Sequence, residues 1–364
     1  MSNLTRVSVL EGSNKIRDGE MVIFPTETVY GLGANCENES AVKNIYICKN
    51  RPLNNPVLIH VCNLEMGKKY VKGLENVLTK HLIKKYWPGP LTIIGEATDL
   101  VPRCVTANTG MVGIRCPNHP LALELIEKSN CGIAAPSANI SGHVSSTKVS
   151  HLFEDFNKCE SNLFYIEDCE FDNLQKYGVE STIIKIERNC VLIYRYGSIS
   201  KENLFVALQD YPFETHIRYK DQMKQSEVIS PGQILKHYSP NLDTYLLNFN
   251  FAKTDIEVWI PDLSECILID FNHNLISFKN DCLYYKDLSR EGDTFQALEN
   301  LYDILRYCEK IDGGKYILIY DLGDIKKENI CCLYDKIYRA SSGRKISIPK
   351  DSTSPLKNKC GRCC

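Results

Sequence analysis

Between residue 9 and about residue 205, short apolar runs alternate with helix-length stretches, and that alternation restricts the segment to an α/β architecture. The runs VIF (22–24), PVLIHV (56–61), LTIIG (91–95), VGIRC (112–116) and GIAAPS (132–137) read as strands. Between them SAVKNIYICKN (40–50), NVLTKHLIKKYW (76–87) and LALELIEKS (121–129) have the length and spacing of helices. Three later runs, NLFYIED (162–168), STIIKIE (181–187) and CVLIYRYG (190–197), follow without long helices between them, so a mixed, strongly twisted sheet is expected rather than a purely parallel one.

From 206 to 240 the pattern weakens into a charged stretch and then SPGQILKHYSPN, where Pro231, Gly232 and Pro240 punctuate an extended linker. Beyond it TYLLNF, EVWIP, CILIDF and YILIYDL flank the helical pattern TFQALENLYDILRYCEKI, which predicts a second, smaller α/β domain over 241–346. Residues 347–364 read as a disordered tail. A chain of 364 residues has room for two domains at roughly 150 residues each.

Charge excludes several classes of partner. With 43 basic and 45 acidic residues the formal net charge is −2, so no global field favours a nucleic-acid coat or an anionic membrane, and any RNA contact is local. No run approaches the roughly 18–20 apolar residues of a membrane helix, and the start resembles neither a signal peptide nor a transit sequence, so the cytoplasm is the expected location. The 17 cysteines are dispersed through apolar segments, as with Cys62, Cys116, Cys131 and Cys190, and read as small buried hydrophobes rather than a disulfide framework. Cys360, Cys363 and Cys364 have ligand-like spacing and a doubled end similar to that of prenylated proteins, but they lack a second ligand pair.

The chemistry concentrates in a few motifs. FPTETVYGLG (24–33) ends an apolar strand at Pro25 and presents Thr26, Glu27 and Thr28 on a turn; a helix cap would use the same residues. KNRPLNNP (49–56) places Lys49 and Arg51 where prolines stop a helix, so both cations can converge on an anion such as phosphate, with Asn55 close by. His60 closes the next strand, either as a structural side chain or at the rim of a site. Arg115, inside an apolar strand, needs either a carboxylate partner or an anionic substrate. APSANISG (135–142) offers Ser137 and Asn139 to phosphate or ribose, or simply caps a turn; Ser145 and Thr147 share the ambiguity. GVEST (178–182) brings Glu180 and Ser181 to a strand entrance, and Arg195 precedes a glycine turn. Walker A, GxGxxG, HExxH and GxSxG patterns are missing, so phosphate binding must use another architecture.

These motifs, with WPGPLT (87–92) and the linker SPGQILKHYSP, fall in the order found in the two-domain threonylcarbamoyl-AMP synthases, and the chain resembles that family nearly end to end. The resemblance implies an N-terminal YrdC-like domain and a smaller Rossmann-like α/β domain, matched mainly in pattern. It implies a nucleotidyltransferase that condenses L-threonine, bicarbonate and ATP, with Mg²⁺, into threonylcarbamoyl-AMP and pyrophosphate. The product would pass to a tRNA threonylcarbamoyl transferase complex for N6-threonylcarbamoyladenosine formation. Carried over by position, Thr28, His60, Arg115, Ala135 and Ser181 surround threonine. Arg51, Asn55, Ser137, Asn139, Ser145, Arg195 and Tyr238 hold ATP, and Lys49 with Arg51 neutralises phosphate charge. Met111 stands where relatives often carry Thr, so no side-chain contact is carried over there. The linker, with His237 and Tyr238, either tethers the domains or lies over the pocket as a lid.

Two rivals remain. An RNA-binding module without its own adenylation activity would use the same cations on a phosphate backbone, but aromatics are not interleaved with them. The carbamoyl transferase of hydrogenase maturation shares a YrdC-like domain but needs zinc-finger and acylphosphatase modules, for which this chain has neither paired CxxC motifs nor room.

Overall fold

The computed structural model describes residues 4–349 except 158, 160, 169–176, 220–228, 232–236 and 252–260. Cys360, Cys363 and Cys364, the tail beyond 349, Gly232 of the linker and most of the expected EVWIP strand lie outside the described residues. The chain divides into two compact units: Met1–Ser141 with Ser145–Ile234, and Gly142–Val144 with Leu235–Cys364.

The first unit contains β1 (Leu4–Arg6), α1 (Val9–Arg17), β2 (Val22–Phe24), β3 (Gly31–Asn35), α2 (Glu39–Cys48), β4 (Ile59–His60), α3 (Leu64–Lys68), α4 (Val77–Tyr86) and β5 (Leu91–Glu96). It continues through β6 (Met111–Arg115), α5 (Pro120–Ser129), β7 (Ile133–Ala134), α6 (Val149–Phe156), β8 (Leu163–Tyr165), β9 (Thr182–Glu187), β10 (Cys190–Arg195), α7 (Lys201–Ala207) and β11 (His216–Tyr219). Local chemistry marks the helix ends. Ser8 and Glu11 form a reciprocal capping box at the start of α1, and Asn38 caps α2 through the Ala41 amide.

The strands form one mixed sheet in the order β1-β8-β2-β3-β7-β4-β6-β5-β9-β10-β11, as the run of late strands without helices led one to expect. Its register separates two kinds of residue. One row, Ala134, Ile59, Ile114, Ile93, Ile184 and Ile193, crosses six neighbouring strands with every member at most 3% exposed. The next row reads Ile133, His60, Arg115, Thr92, Ile183 and Arg195; it lies one residue along each strand and so on the opposite face, except on β10, where the register shifts between Ile193 and Arg195 and the step is two residues. Burying the first row against the helices fixes the register, and the register aligns the polar residues of the second.

The second unit is a parallel α/β sheet in the order β14-β13-β15-β12-β16, built from β12 (Asp243–Phe251), β13 (Cys266–Asp270), β14 (Tyr284–Asp287), β15 (Tyr316–Tyr320) and β16 (Lys345–Pro349). Two longer helices, α8 (Thr294–Cys308) and α9 (Ile330–Ala340), belong to it. Asp293 caps α8, whose Leu298, Leu301, Tyr302 and Leu305 are buried. The sheet was legible from CILIDF and YILIYDL, which are continuous apolar runs of the kind a parallel strand buried on both faces requires.

Among the described residues no helix is long and apolar enough to cross a membrane. The described cysteines are free thiols; Cys116 and Cys131 are buried, Cys62 and Cys190 half-buried. Burial pushes the Cys116 and Cys131 thiols up to about 12, which keeps them protonated at neutral pH.

Candidate active site

The turn after β2 is the hub of the first unit. The Thr26 hydroxyl donates to the Val29 carbonyl at 2.6 Å and accepts from the Thr28 and Val29 amides at 3.2 Å. Its one proton is thereby used, so the 2.9 Å contact between the two threonine hydroxyls has Thr28 as donor. Thr28 Oγ1 keeps its lone pairs for Arg115 Nη1, which donates to it at 2.9 Å. Backbone bonds attach the other motifs to this turn. Ala138 N donates to Tyr30 O (2.7 Å), Leu32 N to Pro136 O (3.0 Å), Tyr30 N to Ser146 O (2.9 Å) and Tyr177 N to Glu27 O (2.8 Å).

Arg115 is 3% exposed, and its Nη2 lies 2.6 Å from Oε2 of Glu27, which is 1% exposed. The charges pair without hydrogen-bond geometry: Arg115 Nη2 and both Glu27 carboxylate oxygens have no hydrogen-bond partner among the described residues. His60, beside Arg115 in the register, also has a buried Nδ1 with no partner, and its ring packs edge-on against Phe24 at 5.8 Å. Burial, then the Arg115 charge, drives its imidazole down to about 3, so it is neutral at physiological pH.

The row continues through Thr92, whose Oγ1 lies 2.7 Å from the Ser181 hydroxyl. Arg195 closes it: Nε and Nη2 donate to the Ser181 carbonyl at 3.0 and 2.9 Å, and Nη2 also reaches Ser181 Oγ at 3.0 Å. This approach depends on Gly197, where a Cβ would stand 2.2 Å from the Thr182 nitrogen and 2.4 Å from the Ser181 carbonyl carbon. Strand register joins His60 to Arg115, and hydrogen bonds join Arg115 to Thr28 and Arg195 to Ser181, although these residues are spread over 28–195 in sequence. Ala135 is buried, with its amide donating to Leu58 O at 2.9 Å.

A second cluster surrounds Lys49. Its ammonium, 1% exposed, donates to the carbonyls of Ser137 (2.6 Å) and Asn139. Ser137 Oγ donates to Asn139 Oδ1 at 2.6 Å, and Ser141 N to Lys49 O at 2.8 Å, so KNRPLNNP and APSANISG form one unit. Arg51 folds onto its own turn, with Nε donating to Asn55 O (3.0 Å) and Nη2 to Asn55 Oδ1 (2.7 Å) and Pro56 O (2.6 Å). In the structure both cations are engaged by protein oxygens, where the sequence suggested a bare convergent pair. Ser145 Oγ donates to Glu180 Oε1 at 2.6 Å.

Tyr238 belongs to the second unit. It is fully buried at a positive φ of 60°, stacks on Tyr302 at 5.3 Å, and its hydroxyl accepts from Lys336 Nζ at 3.3 Å. Sequence reasoning assigned no role to Glu27, Thr92 or Glu180. Glu27 stood inside the leading motif, and a buried carboxylate beside an apolar strand was its available signal; Thr92 is one polar residue in the run LTIIG.

Residues 14–197 match the family model described as Telomere recombination, covering Sua5, YciO and YrdC, and residues 199–342 match the model described as Threonylcarbamoyl-AMP synthase, C-terminal domain. The threonylcarbamoyl-AMP synthase of Pyrococcus abyssi is 37% identical over 233 residues, which are 64% of this chain and 65% of that protein. The match therefore spans just under two thirds of the archaeal relative. The Schizosaccharomyces pombe threonylcarbamoyl-AMP synthase is 32% identical over 352 residues, covering 86% of this chain and 84% of the relative. The crystal structure of P. abyssi Sua5 complexed with L-threonine superposes with a TM-score of 0.77 at 29% identity, covering 95% of this chain and 98% of that one.

Proposed function

Because this chain belongs to the Sua5, YciO and YrdC family and carries the C-terminal domain of its threonylcarbamoyl-AMP synthases, we propose that it is an L-threonylcarbamoyladenylate synthase. The reaction condenses L-threonine, bicarbonate and ATP to threonylcarbamoyl-AMP, pyrophosphate and water. The observation that carries this reading is the buried row. Arg115 presents an unsatisfied Nη2 next to a neutral His60 with an unsatisfied Nδ1 and next to the Thr28 hydroxyl. An amino-acid carboxylate fits the first and a side-chain hydroxyl the other two, and the two groups without a hydrogen-bond partner, Arg115 Nη2 and His60 Nδ1, otherwise cost about 1–3 kcal/mol each.

In this reading Thr28, His60, Arg115, Ala135 and Ser181 enclose threonine, and Arg51, Asn55, Ser137, Asn139, Ser145 and Arg195 receive ATP. The threonine amine attacks the bicarbonate carbon, whose hydroxyl leaves as water, and an oxygen of the resulting carbamate attacks the α-phosphate as pyrophosphate leaves. Nothing in this requires a covalent enzyme intermediate. What the chain supplies is positioning and fixed positive charge from Arg51 and Arg195, while Lys49 holds the turn carrying Ser137 and Asn139. Magnesium is proposed only as the counter-ion of the ATP phosphates. Among the described residues no three His, Cys, Asp or Glu side chains are grouped as a metal site, and no step is routed through the ion.

The product would serve a tRNA threonylcarbamoyl transferase complex in the cytoplasm, with at most a weak RNA contact by this chain. Pyrophosphate release in the absence of RNA tests the reading. Release that requires both threonine and bicarbonate supports it; binding of RNA with no such release favours an RNA-binding module without adenylation activity.

A further inference from the structure

Glu27 is a charged member of the buried cluster around Arg115 that the substrate roles above leave unused. Its carboxylate is 1% exposed, and neither oxygen accepts a hydrogen bond among the described residues, although Arg115 Nη2 stands 2.6 Å from Oε2. An ion pair made only for stability would be completed by hydrogen bonds, because a buried carboxylate with unused lone pairs is costly. Here the donor Arg115 Nη2 and the acceptors of Glu27 are left unsatisfied side by side. The ligand that completes both at once carries an anion and a cationic N–H donor a few bonds apart, which is the α-carboxylate and α-ammonium of an amino acid.

Resting on the threonine reading above, we propose that Glu27 binds the substrate α-ammonium and is the first acceptor of its proton. Transfer breaks a threonine N–H bond and forms a Glu27 O–H bond, which frees the nitrogen lone pair. The N–C bond to bicarbonate then forms and the C–OH bond breaks. The departing hydroxide leaves as water with the second amine proton, and the proton held by Glu27 returns to solvent. Summed, threonine ammonium plus bicarbonate give carbamate, water and one proton. Glu27 thereby places the nucleophile on the same side of Arg115 that fixes the carboxylate, so the pair reads both charges of the zwitterion.

The test is calorimetric titration of the full chain, without ATP, using two probes: L-threonine, and 2,3-dihydroxybutanoate of matching configuration, in which a hydroxyl replaces the ammonium. The wild-type chain should prefer L-threonine by roughly 10- to 100-fold, the range of a charge-assisted hydrogen bond. In Glu27→Gln that preference should fall toward one, whereas a purely structural defect would weaken both probes equally. Pyrophosphate release by Glu27→Gln should rise about tenfold per pH unit below the amine pKa, as solvent takes over the deprotonation, while the wild type stays flatter. Should Glu27→Gln fail to fold, the wild-type ratio decides alone: equal binding of the two probes overturns the proposal. An unchanged preference in a folded Glu27→Gln overturns it as well. If the wild-type chain binds neither probe, the threonine reading itself fails and this proposal with it; if it binds both equally, only the role of Glu27 falls.

Discussion

Replacing His60 by Gln gives a stability change whose size and sign follow from the burial of the imidazole. The ring is 4% exposed, sits beside the Arg115 charge, and is driven down from its ordinary value to about 3. In the unfolded chain it titrates near 6.5. Between about pH 6.5 and pH 3 the unfolded state therefore binds a proton that the folded state refuses, so stability is intact above this window and lost as pH falls through it. At pH 5 the loss attributable to this group is on the order of 2 kcal/mol, from one and a half pH units at 1.36 kcal/mol each. Urea denaturation at pH 7 and pH 5, run in parallel on the wild type and His60→Gln, measures it as a difference of differences, so the other carboxylates and histidines cancel. The variant should lose about 2 kcal/mol less than the wild type on acidification. Parallel losses would mean that His60 is protonated in the folded state, and the neutral hydrogen-bonding role assigned to it would be wrong.

Other perturbations separate the two ends of the site. Lys49→Met strips the donor from the Ser137 and Asn139 carbonyls, at about 1–3 kcal/mol for each acceptor left buried; isothermal titration should show ATP binding weakened far more than threonine binding. Thr92→Val removes the hydroxyl 2.7 Å from Ser181 Oγ. It should cost about 1 kcal/mol in denaturation experiments and weaken threonine binding without changing ATP affinity. Gly197→Ala drives a methyl group into backbone 2.2 Å away, and a thermal melt should show the first unit destabilised by well over the roughly 1 kcal/mol typical of point changes.

Much of this was written in the sequence, and the remainder has identifiable reasons for being hidden. The long apolar runs announced strands because continuous burial demands them, and β9, β10, β13 and β15 lie where such runs stand. The three-residue β1 and the four-residue β14, YYKD, carry no such pattern, since pairing with a neighbour rather than their own composition makes them strands. His60 and Arg115 each looked like an isolated polar residue in an apolar run. Only the register between β4 and β6 makes them neighbours, and register is a property of the sheet as a whole. The Lys49 contacts were invisible for a different reason: their acceptors are backbone carbonyls, which every residue possesses. Glu27 was visible, but its value depends on an Arg 88 positions away.

The central claim, that the buried row and the Lys49 cluster together make an adenylating site for a carbamoylated threonine, is tested most directly by identifying the product. Purified full-length chain is incubated with ATP, magnesium, L-threonine and ¹³C-bicarbonate, without RNA, beside Arg51→Ala, and the nucleotides are read by mass spectrometry. The account predicts an AMP-linked threonine that carries the ¹³C label, formed together with pyrophosphate and strongly reduced in Arg51→Ala. Pyrophosphate released without threonine, an adenylate lacking the label, or an undiminished yield from Arg51→Ala would contradict it.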